Sequence, residues 1–278
     1  MSEYTTDPTL RLLQLTELEI LKVVVKVCEE YNIRYFLTAG TLLGAARHGG
    51  FIPWDDDVDI GMPRPDYERF CEIAPKALPN NLFFQTHITD KNYFNTFAKA
   101  RMNNTAFVQE TIKHIDMHHG VYIDIFPYDG MPDKYEDAVK FREKIMKLHT
   151  ELLRKTMFRF GDRPLLKSIL VYIYNIFINE NKLFNKIEKL LKTYSFNETQ
   201  VFSTLIAYSS IKDIMPKSIM FPLEKMKFED AFFLVPHEYR KFLDHRFGDY
   251  MQPPPIEKRE STHSIWLIDL EKGYKAQK

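Results

Sequence analysis

The segment Pro53-Trp54-Asp55-Asp56-Asp57-Val58-Asp59-Ile60-Gly61 places four carboxylates within five residues. Like charges this close repel, so a fold keeps them only where something positive offsets them. Asp57 and Asp59 are two apart, and on a strand such positions point to one face. Both could then reach one Mg²⁺ or Mn²⁺, hard cations that take oxygen ligands. Val58 and Ile60 fall on the opposite face, toward a core. A solvated acidic turn or a calcium loop is the alternative. The calcium version lacks the EF-hand spacing and its distal Glu.

A third carboxylate stands at Asp124, inside the apolar stretch Gly120-Val-Tyr-Ile-Asp-Ile-Phe-Pro127. A lone acid there is costly unless it is paired or metal-bound. Beside the Asp57–Asp59 strand it would complete a three-carboxylate cluster; a Lys, Arg or Tyr partner would satisfy it equally. Upstream, Thr38-Ala-Gly40-Thr41-Leu-Leu-Gly44 reads as a strand, a glycine turn and a helix start. Backbone N–H groups and the helix dipole at such a junction favour a phosphate, and the Thr41 hydroxyl can add a bond. Arg47 and His48 follow, and Lys99 and Arg101 alternate on another strand candidate, so both point to one face. These cations could neutralise phosphate charge, or serve as ordinary surface ion-pair partners.

The elements that must position these groups follow from periodicity. Leu10 to Tyr31 has no Gly or Pro and carries Leu12, Leu15, Leu18, Leu21, Val25 and Cys28 at helical spacing, which predicts a long helix with Glu17, Lys22, Lys26 and Glu29 in water. Short strands are expected at Arg34–Thr38, Val58–Met62, Leu82–His87, Thr96–Lys99, Ala106–Glu110 and Gly120–Phe126. A helix is expected over Leu42–Arg47, ended by Gly49-Gly50, and another from a capping Asp66 to Lys76. Pro127 and an Asp129-Gly130 turn should close the Asp124 strand. From Lys134 to Lys192 the pattern is helical, with a break at Gly161–Pro164 and 14 Lys and Arg against 7 Asp and Glu. The expected organisation is a catalytic core over 1–133, a basic helical insert over 134–200, and a C-terminal part over 201–278 that completes the core.

Composition bounds the function. Lys+Arg and Asp+Glu both number 38, and this neutrality disfavours a nuclease or another nucleic-acid partner. Cys28 and Cys71 form no CxxC pair, so a disulfide scaffold or zinc knuckle is unsupported. The first residues lack the pattern of a signal peptide, and the apolar run Ser168–Ile178 is too short to span a bilayer. A cytoplasmic protein is expected.

The block from Thr38 to Gly61 resembles the LicD family of phosphocholine transferases, which is also similar to the catalytic domain of fukutin-related protein. Further matches are Lys99-x-Arg101 with Asn104-Thr105, Gly120 to Gly130, Phe228-Glu-Asp230, Phe247-Gly-Asp-Tyr250, Pro253-Pro254, Arg259 and His263. His263 stands alone where the family commonly carries paired histidines. The resemblance implies an α+β fold with a nucleotidyltransferase-like mixed sheet flanked by helices. It implies that Asp57, Asp59 and Asp124 hold Mg²⁺ or Mn²⁺, and that Asp124 orients or deprotonates an attacking hydroxyl. Gly40 and Thr41 would hold donor phosphate, with Arg47, Lys99 and Arg101 as clamps and Arg259 and His263 also at the substrate. The implied donor is CDP-choline, the product CMP, and the acceptor a teichoic acid precursor or similar lipid-linked surface glycan. Transfer of ribitol phosphate or glycerol phosphate would keep the same metal site. A non-catalytic nucleotide- or metal-binding regulator is the reading of another class, and the intact acids argue against it. Trp54, Tyr122, Tyr128, Tyr250 and Trp266 are aromatic faces available to a choline ammonium, and none is singled out. A lipid-linked acceptor would place the protein at the inner face of the membrane. The basic insert would then touch the bilayer surface, or simply pack on the core.

Overall fold

A computed structural model describes residues 7–158, 164–207, 209–261 and 263–276. Helix α1 (Pro8–Glu30) leads through β1 (Phe36–Leu37) to α2 (Ala39–His48), β2 (Asp59–Pro63) and α3 (Arg64–Ala77). Strands β3 (Leu82–Gln85), β4 (Ala98–Met102), β5 (Ala106–Gln109) and β6 (Tyr122–Met131) follow. Three helices come next: α4 (Tyr135–Thr156), α5 (Leu165–Ile176) and α6 (Glu180–Leu191). The chain closes with β7 (Val201–Thr204), β8 (Met215–Pro216), β9 (Glu224–Phe228), β10 (Ala231–Val235), α7 (Tyr239–Phe247) and β11 (Ile265–Asp269). The protein is thus mixed α and β, with helices packed around a curled mixed sheet.

The main sheet runs β1-β2-β6-β4-β3, with β7 on β6 and β8 on β7. Among the described residues of this sheet, only β2 and β6 pair in parallel; the other neighbours are antiparallel. All ten residues of β6 are buried, as its aromatic and β-branched content would require. The sequence expectation ended this strand at Pro127 and an Asp129-Gly130 turn, and the structure corrects it. Strand β4 pairs with β6 up to Ile125, and β7 takes over from Tyr128, so Pro127 falls in the gap between these partners. A missing N–H is tolerated there. Asp129 is held by Arg64 through two bonds, of 2.6 and 3.0 Å. Gly130 lies against the chain at Tyr194 and Ser195, whose carbonyls would be 2.7 and 2.8 Å from an added Cβ.

Helix α1 is capped by Asp7, which accepts from the N–H groups of Thr9 and Leu10 at 2.7 and 3.2 Å. Its buried face differs from the expectation. Leu12 and Leu15 are exposed, while Leu13, Gln14, Glu17, Leu21, Val24 and Cys28 are buried. Leu18, Leu21, Val25 and Cys28 are buried as expected, so the departure is confined to the first turns, where Leu13 and Gln14 replace Leu12 and Leu15, and to Glu17, which is wholly enclosed rather than solvated. Gln14 uses its burial to donate to the carbonyls of Ile52 (3.3 Å) and Asp55 (2.9 Å), fixing the acidic loop.

Helix α2 starts three residues earlier than expected and takes Gly40 and Thr41 into its first turn. Gly49, at φ +68°, ends it in the left-handed conformation. Helix α3 begins ahead of Asp66, so Asp66 does not cap it. Instead Asp66 accepts from the backbone and guanidinium of Arg34 at 2.6 to 2.9 Å and pins the approach to β1. The strand expected over Arg34–Thr38 shrinks to β1, and the one expected over Thr96–Lys99 shifts to Ala98–Met102.

Helices α1 and α3 pack on the sheet face formed by Ile60, Ile123, Ile125, Ala98 and Ala100. A second apolar cluster joins α4 and α6 to Met131, Leu205 and Ile214. The break expected at Gly161–Pro164 lies, apart from Pro164, outside the described residues.

Candidate active site

The acidic loop and two neighbouring strands bring the expected carboxylates together. Asp59 opens β2 and Asp124 stands beside it in parallel register on β6. Asp57 precedes β2 in the loop, and the three acids can offer oxygen atoms within 4.8 Å of one another. Backbone bonds lock the arrangement: Asp124 N–H donates to Val58 at 2.8 Å, and Thr38 N–H to Asp59 at 3.2 Å. Asp59 Oδ1 is buried with no hydrogen-bond partner. Burial pushes the Asp57 carboxyl up to about 6, with Asp56 and Asp124 adding to the shift and His263 and Lys99 opposing it. Burial also raises Asp59 well above the usual carboxylate range, reinforced by Asp57 and Asp124. An orphaned oxygen, three converging carboxylates and this mutual repulsion fit a divalent cation with hard-oxygen preference. Asp57, Asp59 and Asp124 would be its ligands.

Lys99 lies opposite Asp124 in antiparallel register on β4, so one row crosses three strands as Asp59, Asp124 and Lys99. Lys99 and Asp124 form a buried ion pair. The Lys99 ammonium also sits 3.4 Å from the Tyr122 ring centroid. Burial lowers the Lys99 pKa, and Asp124 partly restores it. Arg101, two residues on, is 2% exposed. It donates to the Gln85 side chain at 2.5 Å and the Gly120 carbonyl at 2.7 Å, and its guanidinium lies 4.7 Å from the Tyr122 ring.

A cavity of about 660 Å³ opens beside the acids. Asp57, Asp59, Asp124, Lys99, Arg101 and His263 form its charged floor. Its remaining wall mixes aromatic rings, among them Tyr93, Phe94, Phe97, Phe107, Tyr122 and Phe126, with polar side chains such as Asn95, Gln109, Thr111, Thr204 and Ser209. Phe97 meets Phe126 edge-on at 4.8 Å and 72°, and Tyr93 at 6.4 Å and 85°. Tyr93 and Phe94 belong to a small apolar cluster with Ile112, Ile115 and Met117, backed by Leu153 and Met157 of the α4 end.

The other expected residues occupy varied places. Gly40 lies under the acidic loop, where an added Cβ would meet Asp55 Oδ2 at 2.7 Å. Thr41 is buried and its hydroxyl accepts from Asp59 N–H at 2.8 Å. The α2 N-terminus at Thr38 and Ala39 does line the cavity. Ala39 is held at φ +47°, a left-handed value that costs a non-glycine residue roughly 1–2 kcal/mol. Arg47 donates to the Tyr250 carbonyl at 2.8 Å, and Arg259 to Pro254 at 2.8 Å while lying 5.3 Å from the Trp54 ring. Neither Arg47 nor Arg259 lines the cavity. His263, placed by β11 pairing with β5, bonds Asp56 through Nδ1 at 3.1 Å. Burial works against its charge, but Asp56 and Asp57 raise its pKa overall. Ser261 donates to the other oxygen of Asp56. Glu229 accepts from Arg11 at 2.6 Å and from Phe51 N–H at 3.0 Å, bracing the turn before the acidic loop.

Comparison with known proteins decides the kinship. Residues 32–165 match the family model described as "LicD/FKTN/FKRP, nucleotidyltransferase domain". The chain is 31% identical over 264 residues to the lipopolysaccharide cholinephosphotransferase LicD of Haemophilus influenzae, covering 92% of this chain and 96% of that protein. This chain belongs to the LicD family. Human ribitol 5-phosphate transferase FKRP is 57% identical over a shorter stretch of 44 residues, 16% of this chain and 9% of that protein. An uncharacterized Rickettsia typhi protein is 43% identical over 58 residues, 21% of this chain and 19% of its own. The LicD kinship makes the protein a phosphotransferase, and the matched span contains the acid cluster and most of the aromatic wall.

Three features of this LicD-family site escaped sequence reading. Glu17 of α1 is 0% exposed, with neither carboxyl oxygen hydrogen-bonded. Burial holds its proton on well above the usual range, and the fields of Asp57, Asp56, Asp55 and Asp124 add to this. Its spacing with Leu13, Leu21 and Val24 was the available signal. The aromatic wall draws on the loop Tyr93–Phe97, whose residues follow no period. Arg246 of α7 pairs with buried Asp213, and both line the cavity from the C-terminal part.

Proposed function

We propose that this enzyme transfers phosphocholine from CDP-choline to a hydroxyl of a surface-glycan precursor, a teichoic acid or similar lipid-linked glycan, releasing CMP. The aromatic cavity wall beside the three carboxylates carries this reading. A quaternary ammonium is attracted by ring faces and needs no hydrogen-bond partner. The Lys99 ammonium over Tyr122 is an internal example of such an attraction. The ring faces of Phe94, Phe97, Phe107 and Phe126 suit an ammonium and offer a polyol head group no hydrogen bonds, whereas Asn95, Gln109 and Thr111 of the same cavity could serve one. That the Haemophilus relative is a lipopolysaccharide cholinephosphotransferase supports the same head group.

In the reaction, the acceptor oxygen forms a bond to the choline-bearing phosphorus. The bond from that phosphorus to the bridging oxygen breaks, and CMP leaves with the electron pair. Asp124, paired with Lys99, would orient the acceptor hydroxyl and take its proton. Mg²⁺ or Mn²⁺ at Asp57, Asp59 and Asp124 would neutralise charge gathering on the leaving nucleotide. Lys99 adds fixed positive charge, and the α2 N-terminus at Thr38 and Ala39 borders the same cavity. Arg101, also at the cavity, sets its guanidinium 4.7 Å from the Tyr122 ring and would stiffen that wall. The acid pair at the head of β2, with a third acid on the adjoining β6, supports a nucleotidyltransferase-like core. Residues 134–200 then read as a helical insert, with β7 returning the chain to the core sheet.

The donor assay tests this. CMP release is measured from CDP-choline, CDP-ribitol and CDP-glycerol, with Mg²⁺ or EDTA, in the presence of membrane extract. Metal-dependent release from CDP-choline is expected. Release from CDP-ribitol in preference would replace the head group and keep the acid cluster. That second reading draws on the short, highly identical stretch shared with FKRP.

A further inference from the structure

Helix α5 is built inside out. Its polar residues Ser168 and Asn175 are buried, at 1% and 8% exposure. Its large apolar residues face outward: Leu165 and Leu166 are above 70% exposed, Leu170 and Ile176 near 60%, and Phe177 just beyond the helix is 83% exposed. Leu166, Leu170, Ile173 and Phe177 follow one another at helical spacing and form a continuous stripe. A helix in water places its apolar face inward, so this one is arranged for a medium other than water.

The surroundings indicate which medium. Residues 134–192 hold 14 Lys and Arg against 7 Asp and Glu. Lys167 on α5 itself and Lys182, Lys186 and Lys189 on α6 are exposed. Arg154 of α4 lies 4.4 Å from the Tyr174 ring and ties α5 to this basic frame. An apolar stripe within a cationic frame complements an anionic bilayer surface. Tyr172 and Tyr174 supply rings of the kind that favour the headgroup level. At 12 residues α5 spans roughly 18 Å, short of a bilayer core of about 30 Å, and no described helix is long and apolar enough to cross.

We propose that α5 lies flat in the surface of an anionic membrane and docks the enzyme where a lipid-linked acceptor resides. The proposal concerns the surface of the insert and stands whichever head group the cavity takes.

The test is co-sedimentation of the full chain with vesicles of phosphatidylcholine alone, or of phosphatidylcholine with phosphatidylglycerol, at low and high salt. Binding to the anionic vesicles that weakens with salt is expected. Leu170→Glu with Ile173→Glu should weaken it roughly tenfold or more, without changing the far-UV circular dichroism. Lys182→Gln, Lys186→Gln and Lys189→Gln together should weaken binding to the anionic vesicles alone, again by roughly tenfold or more. Absence of binding to either vesicle, or binding unaltered by the Leu170 and Ile173 changes, would overturn the proposal. So would a concentration-dependent dimer, without vesicle binding, that the same double variant disperses. Vesicle binding and CMP release are separate readouts, so failure of one leaves the other to be judged alone.

Discussion

Glu17 offers a test of the electrostatics behind the acid cluster. It is wholly enclosed, its oxygens lack hydrogen-bond partners, and burial followed by four nearby carboxylates raises its pKa well above 4.5. Between the unfolded and native values the folded state holds one proton more than the unfolded state. Stability must therefore fall as pH rises through that window, by roughly 1 kcal/mol per pH unit. Glu17→Gln keeps the shape and is neutral throughout, so it lacks this slope. From pH 5 to pH 7 the variant should gain on the parent by up to roughly 2–3 kcal/mol. In a chain of this size that is a melting-temperature gap widening by roughly 4–12 °C. Thermal melting of both proteins is followed at several pH values in EDTA. Parallel curves would refute a protonated Glu17. Glu17 does not line the cavity, so donor turnover should be retained.

Asp57→Asn and Asp59→Asn should each abolish CMP release. Both should melt in EDTA at the parent temperature or slightly above it, because carboxylate repulsion is relieved. Asp57 sits at about 6, so cation binding should weaken as pH falls below that value, when a proton competes for the carboxylate. The Mg²⁺-induced rise in melting temperature, measured at pH 5 and pH 7.5, checks this; equal rises would contradict it. Arg64→Met leaves Asp129 buried without its bidentate partner and should cost about 3–5 kcal/mol in chemical denaturation.

The sequence exposed the acids because two local rules met: period-two spacing at Asp57 and Asp59, and an ionisable group set in an apolar strand at Asp124. What it could not expose was adjacency. The parallel pairing of β2 with β6, and the row from Asp59 through Asp124 to Lys99, are long-range registers that no local pattern encodes. The same limit explains β6. Pro127 and Asp129-Gly130 are turn residues by type, yet a change of neighbour from β4 to β7 and the Arg64 partner make them strand. On α1 the buried face is wider than the expected stripe: Leu18, Leu21, Val25 and Cys28 are buried as read, and Leu13, Glu17, Ile20 and Val24 beside them are buried too. Periodicity found the apolar run of α5, but burial of Ser168 and Asn175 inverts the face expected of a helix in water. The cavity wall from Tyr93 to Phe97 is loop, where periodicity carries no information.

If this acid cluster moves phosphocholine onto a glycan, the added mass must appear on the acceptor. The most direct measurement is mass spectrometry of the acceptor after incubation with CDP-choline and Mg²⁺, using the parent enzyme and Asp59→Asn. An acceptor heavier by one phosphocholine is expected with the parent, with CMP in equal amount, and neither with the variant. A modified acceptor in the presence of Asp59→Asn, or CMP released with no phosphocholine gained by the acceptor, would contradict it.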